Sequence, residues 1–239
     1  MILLEMERKK IRGAIPLRVD FVRGGAKTIY PVLLCDGEHR ILVDCGYPGF
    51  LPLLERASED AGVPFFEITG VVVTHHDYDH CGAMADIKEK YPGIMTMASA
   101  PDALVIEGKE KSVRLRQAQS IRDGLSESEK IRLNEIRAGF ESMKLAHIDA
   151  IVKGGDVMPW CGGTEIIATP GHLPGHISMF LRNEKTVVTG DALVALSGRL
   201  RVPASKYSFD AETAKMSAKK LLLLDADRFI CYHGGVVER

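Results

Sequence analysis

The sequence lacks the features that mark exported, membrane-bound or nucleic-acid-binding proteins. The apolar start over residues 1–5 is too short for a signal peptide or a membrane span. A net charge of −1 predicts no basic surface for nucleic acid. The five cysteines are odd in number and include no Cys-x-x-Cys pair, which fits a reducing compartment better than a disulfide framework. We therefore predict a cytoplasmic protein that acts on a small molecule, with neither nucleic acid nor membrane as a partner.

The apolar content, by contrast, is sufficient for a complete core. Hydrophobic residues make up 46% of the 239 positions, which suits one two-layered domain. Short strand patterns dominate, and Asp36-Gly37 predicts a hairpin turn. We also expect strands over 11–23 and 28–35, helices over 50–61, 82–91 and 210–224, and an irregular loop over 192–207.

Residues 102–147 break this rhythm with two helical patterns. The first covers 112–124, and the second follows a capping-box sequence at 126–129. The second pattern places Phe140 and His147 on one apolar stripe, which predicts a buried histidine. We interpret the segment as a helical insertion that forms a lid over the active site. A surface helix pair and a homodimer contact are the alternatives.

One stretch of the sequence collects metal-ligating side chains. Residues 71–73 are three valines, which predict a buried strand, and His75, Asp77, Asp79 and His80 follow at once. Alternate side chains of an extended segment point the same way, so the first three can converge. Imidazole and carboxylate groups suit zinc, iron or manganese. The stretch therefore predicts a metal site rather than a solvated polar loop.

Three later strand patterns also end in side chains that bind metals. His172 follows the strand pattern at 165–169, Asp191 follows 186–189, and His233 ends the apolar run from residue 229. Because strand ends of a sheet meet along one edge, these side chains can reach the loop after residue 73. Together the four segments predict a dinuclear metal site.

These four motifs, in this order, resemble the metallo-β-lactamase superfamily over about residues 42–235. The family pattern is T-H-x-H-x-D-H, then T-P-G-H, then G-D, then a late His before Gly. The resemblance implies an α/β fold in which two mixed sheets, flanked by helices, form an αββα sandwich. It also implies two divalent ions, with zinc preferred. The first ion would lie on His75, Asp77 and His172, the second on Asp79, His80 and His233, with Asp191 bridging them.

Position 77 departs from that pattern, because the family usually has histidine where this chain has Asp77. An additional carboxylate ligand lowers the positive charge of the site and should depress the pKa of bound water less. A harder oxygen ligand also shifts the preference toward iron or manganese. The alternative is that Asp77 does not bind metal and that the first site is weak or empty.

Other residues are implied to support the site without binding metal. Family members use the equivalents of Asp44 and His176 to position the ligands, although Asp44 alternatively just ends a strand at an Asp-x-Gly turn. Lys206 and Tyr207 belong to the 192–207 loop, which should border the site. They either orient a substrate or are ordinary surface residues.

The resemblance implies a metal-dependent hydrolase. A hydroxide held between the ions would attack an ester, lactone, thioester or phosphoester, and Asp79 would orient it as the catalytic residue. No serine or cysteine nucleophile is then required. The alternatives are a mononuclear iron oxidoreductase similar to persulfide dioxygenases and a non-catalytic ligand-binding member of the fold.

Features that mark particular branches of the family are missing. The chain stops six residues after His233, whereas glyoxalase II enzymes continue with basic residues that hold glutathione, so a glutathione thioester is disfavoured. Val194 stands where many homoserine-lactone lactonases have tyrosine. The expected absence of a flavodoxin-like domain and of an export signal argues against a diiron oxygen reductase and a β-lactamase.

Overall fold

The computed structural model describes residues 11–120 and 126–239. Within them, two six-stranded sheets carry most of the strands. The first sheet has the order β1-β4-β5-β6-β7-β8, and the second has the order β16-β15-β12-β11-β10-β9. Both are mixed, since β5 to β8 run parallel in the first sheet and β12 pairs parallel with β15 in the second. The strands of the first sheet are β1 (Gly13–Pro16), β4 (Val32–Cys35), β5 (Arg40–Val43), β6 (Gly70–Val72), β7 (Met95–Ala98) and β8 (Ala150–Ile151).

The second sheet and two hairpins contain the remaining strands. Each hairpin is a two-stranded sheet, formed by β2 with β3 and by β13 with β14. The second sheet comprises β9 (Val157–Met158), β10 (Thr164–Ala168), β11 (Ile177–Leu181), β12 (Thr186–Val188), β15 (Arg228–Cys231) and β16 (Gly235–Glu238). The hairpin strands are β2 (Val19–Val22), β3 (Ala26–Ile29), β13 (Val194–Leu196) and β14 (Arg199–Arg201).

Six α-helices lie within the described residues. They are α1 (Leu51–Asp60), α2 (Met84–Lys90), α3 (Ala100–Ile106), α4 (Val113–Ser120), α5 (Glu127–Ser142) and α6 (Ala211–Leu222). Three buried clusters show the layering. Strand residues of both sheets, such as Val72 and Ile230, share a cluster between the sheets. Leu54 of α1 and Met84 of α2 pack on the outer face of the first sheet, and Leu221 of α6 packs on that of the second. The predicted αββα sandwich is therefore confirmed.

Several predicted elements agree with the structure in type and position. Helix α1 buries Leu51, Leu54 and Ser58, as its spacing predicts. The side chain of Ser126 accepts the backbone N–H of Glu129 in a complete capping box at the start of α5. Asp210 caps the start of helix α6, where its carboxylate accepts two backbone N–H groups. The part of the predicted 112–124 helix beyond residue 120 lies outside the described residues. No helix in the described ranges is both long and apolar enough to cross a membrane.

Some of the sequence-based expectations are wrong. The segments 11–23 and 28–35 each hold two strands that belong to different sheets, because each bends near a proline, Pro16 or Pro31, that cannot donate a ladder hydrogen bond. The 192–207 loop contains the β13–β14 hairpin. Helix α5 ends at Ser142, and the His147 side chain is 69% exposed beside Glu107 rather than buried.

The turn between β4 and β5 joins the two layers and makes the fold sensitive to acid. The Asp36 carboxylate accepts backbone N–H groups of Glu38, His39 and Cys161 at 2.7–2.8 Å, and Cys161 belongs to the second layer. Burial alone would raise the pKa of Asp36, but these three N–H donors lower it to about 2. Since an unfolded aspartate titrates near pH 4, this stabilisation is complete above about pH 4 and is lost as the pH falls toward 2.

We expect Asp36→Ala to lower the free energy of unfolding by about 1–3 kcal/mol at pH 7, because three backbone donors lose their acceptor. The difference in free energy of unfolding between the variant and the natural protein should decrease as the pH falls from about 4 to 2. Urea unfolding at pH 7 and pH 3 measures both effects. Asp20→Ala is the control, since that carboxylate is 58% exposed beside Arg18 and should matter little. If both variants lowered the free energy of unfolding equally, Asp36 would not have this stabilising role.

Candidate metal centre

Seven predicted ligand side chains meet at one edge of the two sheets. The loop after β6 supplies four of them, and the segments after β10, β12 and β15 supply His172, Asp191 and His233. The donor atoms form three overlapping groups, each within 4.8 Å, that could hold a metal ion. The groups are His75, Asp77 and His172; His75, His80 and Asp191; and Asp79, His80 and His233.

Asp191 lies at the centre of this cluster. Its Oδ2 atom is 3.4 Å from His172 Nε2, and its Oδ1 atom is 3.4 Å from His80 Nε2 and 3.6 Å from His233 Nε2. Asp79 Oδ2 lies 3.4 Å from His233 Nε2 on the outer side. The carboxylate of Asp191 thus faces donors from both predicted ion positions, as a bridging ligand must.

The electrostatics keep the carboxylates of Asp77 and Asp191 ionised. Burial would raise the pKa of Asp191, but His233, His80 and His172 together hold it well below its usual value. Burial would likewise lower the pKa of His80, but Asp44, Asp191 and Asp79 hold it well above. Asp77 and Asp191 are therefore available as negative ligands at neutral pH, and the second proton of the His80 ring must leave when an ion binds.

Asp44 fixes the orientation of two predicted ligand histidines. Its Oδ2 accepts the Nδ1–H of His80 at 2.9 Å and the hydroxyl of Thr74 at 2.9 Å. That hydroxyl lies 3.0 Å from His75 Nδ1, so it accepts the ring N–H there. With Nδ1 of each ring held as the donor, Nε2 is the atom of His75 and His80 that faces the cluster carboxylates and can bind an ion. Asp44 therefore does more than end a strand, and its left-handed backbone (φ 62°) suits aspartate.

His176 holds the backbone of Asp191 in place through a hydrogen bond. Its Nε2 accepts the backbone N–H of Asp191 at 2.9 Å, so its Nδ1 carries the proton and donates to Thr169 Oγ1 at 2.8 Å. Thr169 and Ser178 continue the chain of hydrogen bonds to the carbonyl of Thr189. Burial lowers the pKa of His176 to about 3, which keeps the ring neutral and the network in one arrangement.

The donor set fits a divalent metal ion. Among the described residues, the buried Nε2 atoms of His75 and His80 and the buried Oδ1 atom of Asp191 have no hydrogen-bond partner. Buried polar atoms without partners are costly unless another group satisfies them. Zinc, manganese and iron are commonly bound in proteins by imidazole nitrogens together with carboxylate oxygens.

The cluster opens into a cleft of about 680 Å³. Asp79, Asp191 and His233 line its floor, and Tyr207 lines its side. The predicted partner Lys206 is exposed and lies 5.1 Å from the Tyr207 ring. The insertion also borders the cleft, through side chains of α4 and α5. These side chains are Arg114, Arg132, Glu135 and Ile136.

Helix α5 of the insertion packs directly on the metal loop. The Tyr78 ring lies 5.6 Å from Phe140 between centroids. A Cβ atom at Gly139 would approach that ring to 2.6 Å, so glycine is needed for this contact. The insertion is therefore built onto the same loop that presents the ligands.

Sequence reasoning did not identify several residues that shape the site. Arg114 of α4 contacts Asp77 and His172, and Ser112 precedes it at the helix start. His76, which lies between two predicted ligands, bonds Asp102 and Ser112. The Tyr232 hydroxyl donates to the Asp79 carbonyl at 2.5 Å. The side-chain contacts of Arg114, His76 and Tyr232 join positions far apart in the sequence, and no local motif predicts them.

The fold and this cluster define a class, and comparison with known proteins agrees. The model of the metallo-beta-lactamase superfamily matches residues 24–233. The chain belongs to this superfamily.

The relatives include hydrolases. A probable metallo-hydrolase of Bacillus subtilis is 26% identical over 218 residues, covering 86% of this chain and 80% of the relative. A hydroxyacylglutathione hydrolase of Brucella ovis is 38% identical over 209 residues. That match covers 85% of this chain but 61% of the Brucella enzyme. These relatives support a metal-dependent hydrolase.

Solved structures share the fold. A metallo-beta-lactamase family protein from Thermus thermophilus superposes with a TM-score of 0.69 at 20% identity, covering 95% of this chain and 75% of that protein. A B3 metallo-beta-lactamase with an active-site glutamic acid gives a TM-score of 0.64 at 16% identity, covering 100% and 88% of the two chains. At these identities the likeness concerns the fold alone.

Proposed function

We propose that this protein hydrolyses an ester, lactone, thioester or phosphoester of a small molecule in a metal-dependent reaction. The observation that carries the proposal is the convergence of four imidazoles and two further carboxylates around Asp191 at the floor of an open cleft. We further propose a dinuclear site with zinc as the preferred ion, in a cytoplasmic protein. Bound divalent ions would lower the pKa of water and stabilise negative charge that develops on the substrate.

The chain's own residues have separate tasks in this reaction. The Asp79 carboxylate, 17% exposed, borders the cleft, so it can accept a proton from the attacking water and pass one to the leaving group. The hydrogen bond from Tyr232 to the Asp79 carbonyl holds its backbone in place. Asp44 and His176 keep His80 and Asp191 in fixed orientations, so little reorganisation is needed during the reaction.

The cleft favours a small and partly apolar substrate. Its volume of about 680 Å³ lies within the usual range for small-molecule sites. Phe21, Tyr47 and Leu196 give it apolar walls, and Tyr207 adds a hydroxyl group. We propose that the insertion acts as a lid and that Tyr207, with Lys206 beside it, orients the substrate.

A hydrolysis panel with metal removal tests this function. Esters, lactones, thioesters including a glutathione thioester, and phosphoesters are offered to the protein before chelation, after chelation, and after zinc, manganese or iron is returned. At least one class should be turned over, and chelation should stop the reaction reversibly. Asp79→Asn should lower kcat by about 100-fold or more.

Asp225→Asn provides the matched control, because this carboxylate is 84% exposed beside Lys185 and remote from the cleft. It should leave turnover unchanged. Turnover that survives both complete metal removal and Asp79→Asn would contradict the proposed mechanism. Tight binding of panel compounds without any turnover would contradict the enzymatic function.

A further inference from the structure

Arg114 reaches from the insertion into the predicted position of the first ion. Its Nε lies 2.7 Å from Asp77 Oδ2, and its Nη2 lies 2.6 Å from His172 Nε2. The same Nη2 donates to the carbonyl of Tyr207 at 2.7 Å. The side chain is only 10% exposed, so the guanidinium is enclosed by these partners.

The guanidinium uses the atoms that would bind the ion. Arginine only donates hydrogen bonds, so His172 Nε2 meets Arg114 with its lone pair. Asp77 Oδ2 is likewise the oxygen that lies 3.5 Å from His75 Nε2 and 3.2 Å from His172 Nε2. The single lone pair of His172 Nε2 that accepts from Arg114 cannot bind a metal ion at the same time, and the guanidinium charge 2.7 Å from Asp77 Oδ2 repels a cation there. Arginine and ion therefore exclude each other at this position.

The second position has no such competitor. Within residues 11–120 and 126–239, no arginine or lysine side chain is hydrogen-bonded or ion-paired to Asp79, His80 or His233. The two ion positions share Asp191, but only the first is in contact with the positively charged Arg114 side chain. Their affinities for metal should differ accordingly.

Arg114 is held in place by the metal loop itself. Ser112 Oγ accepts the backbone N–H of Arg114 at 3.2 Å and lies 3.0 Å from His76 Nε2. His76 Nδ1 in turn donates to Asp102, which also accepts the Ser99 hydroxyl. Ser112, His76 and Asp102 are connected like a nucleophilic triad, but at 2% exposure Ser112 does not meet a substrate. The chain instead anchors the start of α4 beside the ligands.

We infer that Arg114 is a built-in competitor for the metal position formed by His75, Asp77 and His172. An ion enters there only when the guanidinium leaves Asp77 and His172. The second position therefore fills first, and the first position binds its ion more weakly. The inference depends on the proposed function only in requiring that the cluster binds a divalent ion.

The competition is tested by measuring zinc binding to the apoprotein with calorimetry and equilibrium dialysis. The natural protein should bind two ions in separate steps. Arg114→Gln, which keeps a polar side chain without the charge, should tighten the weaker step about 10- to 100-fold, since the charged hydrogen bond to His172 and the ion pair with Asp77 no longer have to break. Arg114→Lys should give an intermediate affinity, because a point charge cannot contact both partners in the same way.

Arg116→Gln is the matched control on the same helix, where the arginine is exposed, and its isotherm should equal that of the natural protein. An Arg114→Gln isotherm identical to the natural one, or two equally tight steps in the natural protein, would overturn the inference while leaving the hydrolase proposal intact. Binding of neither zinc nor manganese nor iron by any of these chains would overturn both.

A measurement on the natural protein covers the case in which neither Arg114 variant folds. The ¹H–¹⁵N resonance of the arginine Nε–H that lies against Asp77 should persist through the first equivalent of zinc. It should shift or disappear during the second equivalent. Persistence through two bound equivalents would overturn the inference.

Discussion

Asp191→Ala is expected to abolish hydrolysis and to remove most of the bound metal. Asp191 is the one carboxylate that faces donors of both ion positions, at 3.4 Å from His172 Nε2 and 3.4 Å from His80 Nε2. Without it, four imidazoles remain in a buried cluster with less negative charge to hold a cation. We expect kcat/KM to fall by about a thousandfold or more, because metal stabilisation supplies several kcal/mol. Kinetics and elemental analysis of one preparation measure both effects.

Asp225→Ala is the control for this variant, since its carboxylate is exposed and contacts only a surface lysine among the described residues. It should keep both metal and activity. Circular dichroism of both variants separates loss of metal from loss of fold. An Asp191→Ala protein that is folded, holds two ions and retains activity would contradict the bridging role.

Asp44→Asn is expected to weaken metal binding by about 10- to 100-fold. The Asp44 carboxylate accepts the Nδ1–H of His80, and the amide group of asparagine at that oxygen would donate instead. His80 would then move its proton to Nε2, where it blocks the lone pair aimed at the ion. Asparagine tolerates the left-handed backbone of position 44, so the variant changes the hydrogen bond rather than the turn. Competitive zinc titration against a chelator measures the affinity.

Asp149→Asn serves as the control for this second variant. The Asp149 carboxylate is partly buried on the first sheet, where it contacts Lys88 and Thr96 rather than the cluster. Asp149→Asn should lower stability and leave zinc affinity unchanged. If Asp44→Asn bound zinc as tightly as the natural protein, tautomer control by Asp44 would be wrong.

The predicted ligands could be found from sequence because each follows a strand pattern with a distinct side chain. The three valines before Thr74 and the apolar run before His233 specify strands, and the ends of those strands converge once the sheets form. The layering follows from the same patterns, since strands buried on both faces are continuously apolar. These features depend on local chemistry.

Contacts between distant segments could not be predicted in this way. Arg114 meets Asp77 only after the insertion folds onto the metal loop, and its own helix has no motif that names the partner. The prediction for His147 is wrong because the helical spacing continues past Ser142, where helix α5 ends, and no sequence signal marks that end. The β13–β14 hairpin has one sequence signal, the dipeptide Ser197-Gly198. In the structure these residues form the turn, with positive φ angles of 51° and 69°.

The most direct test is the metal content of the purified protein after it is saturated with zinc and then dialysed against metal-free buffer. We expect one tightly held ion per chain, a second ion that dialyses away more readily, and loss of most of the metal in Asp191→Ala. A natural protein that is folded and retains no metal under these conditions would contradict the central claim that this cluster is a metal centre.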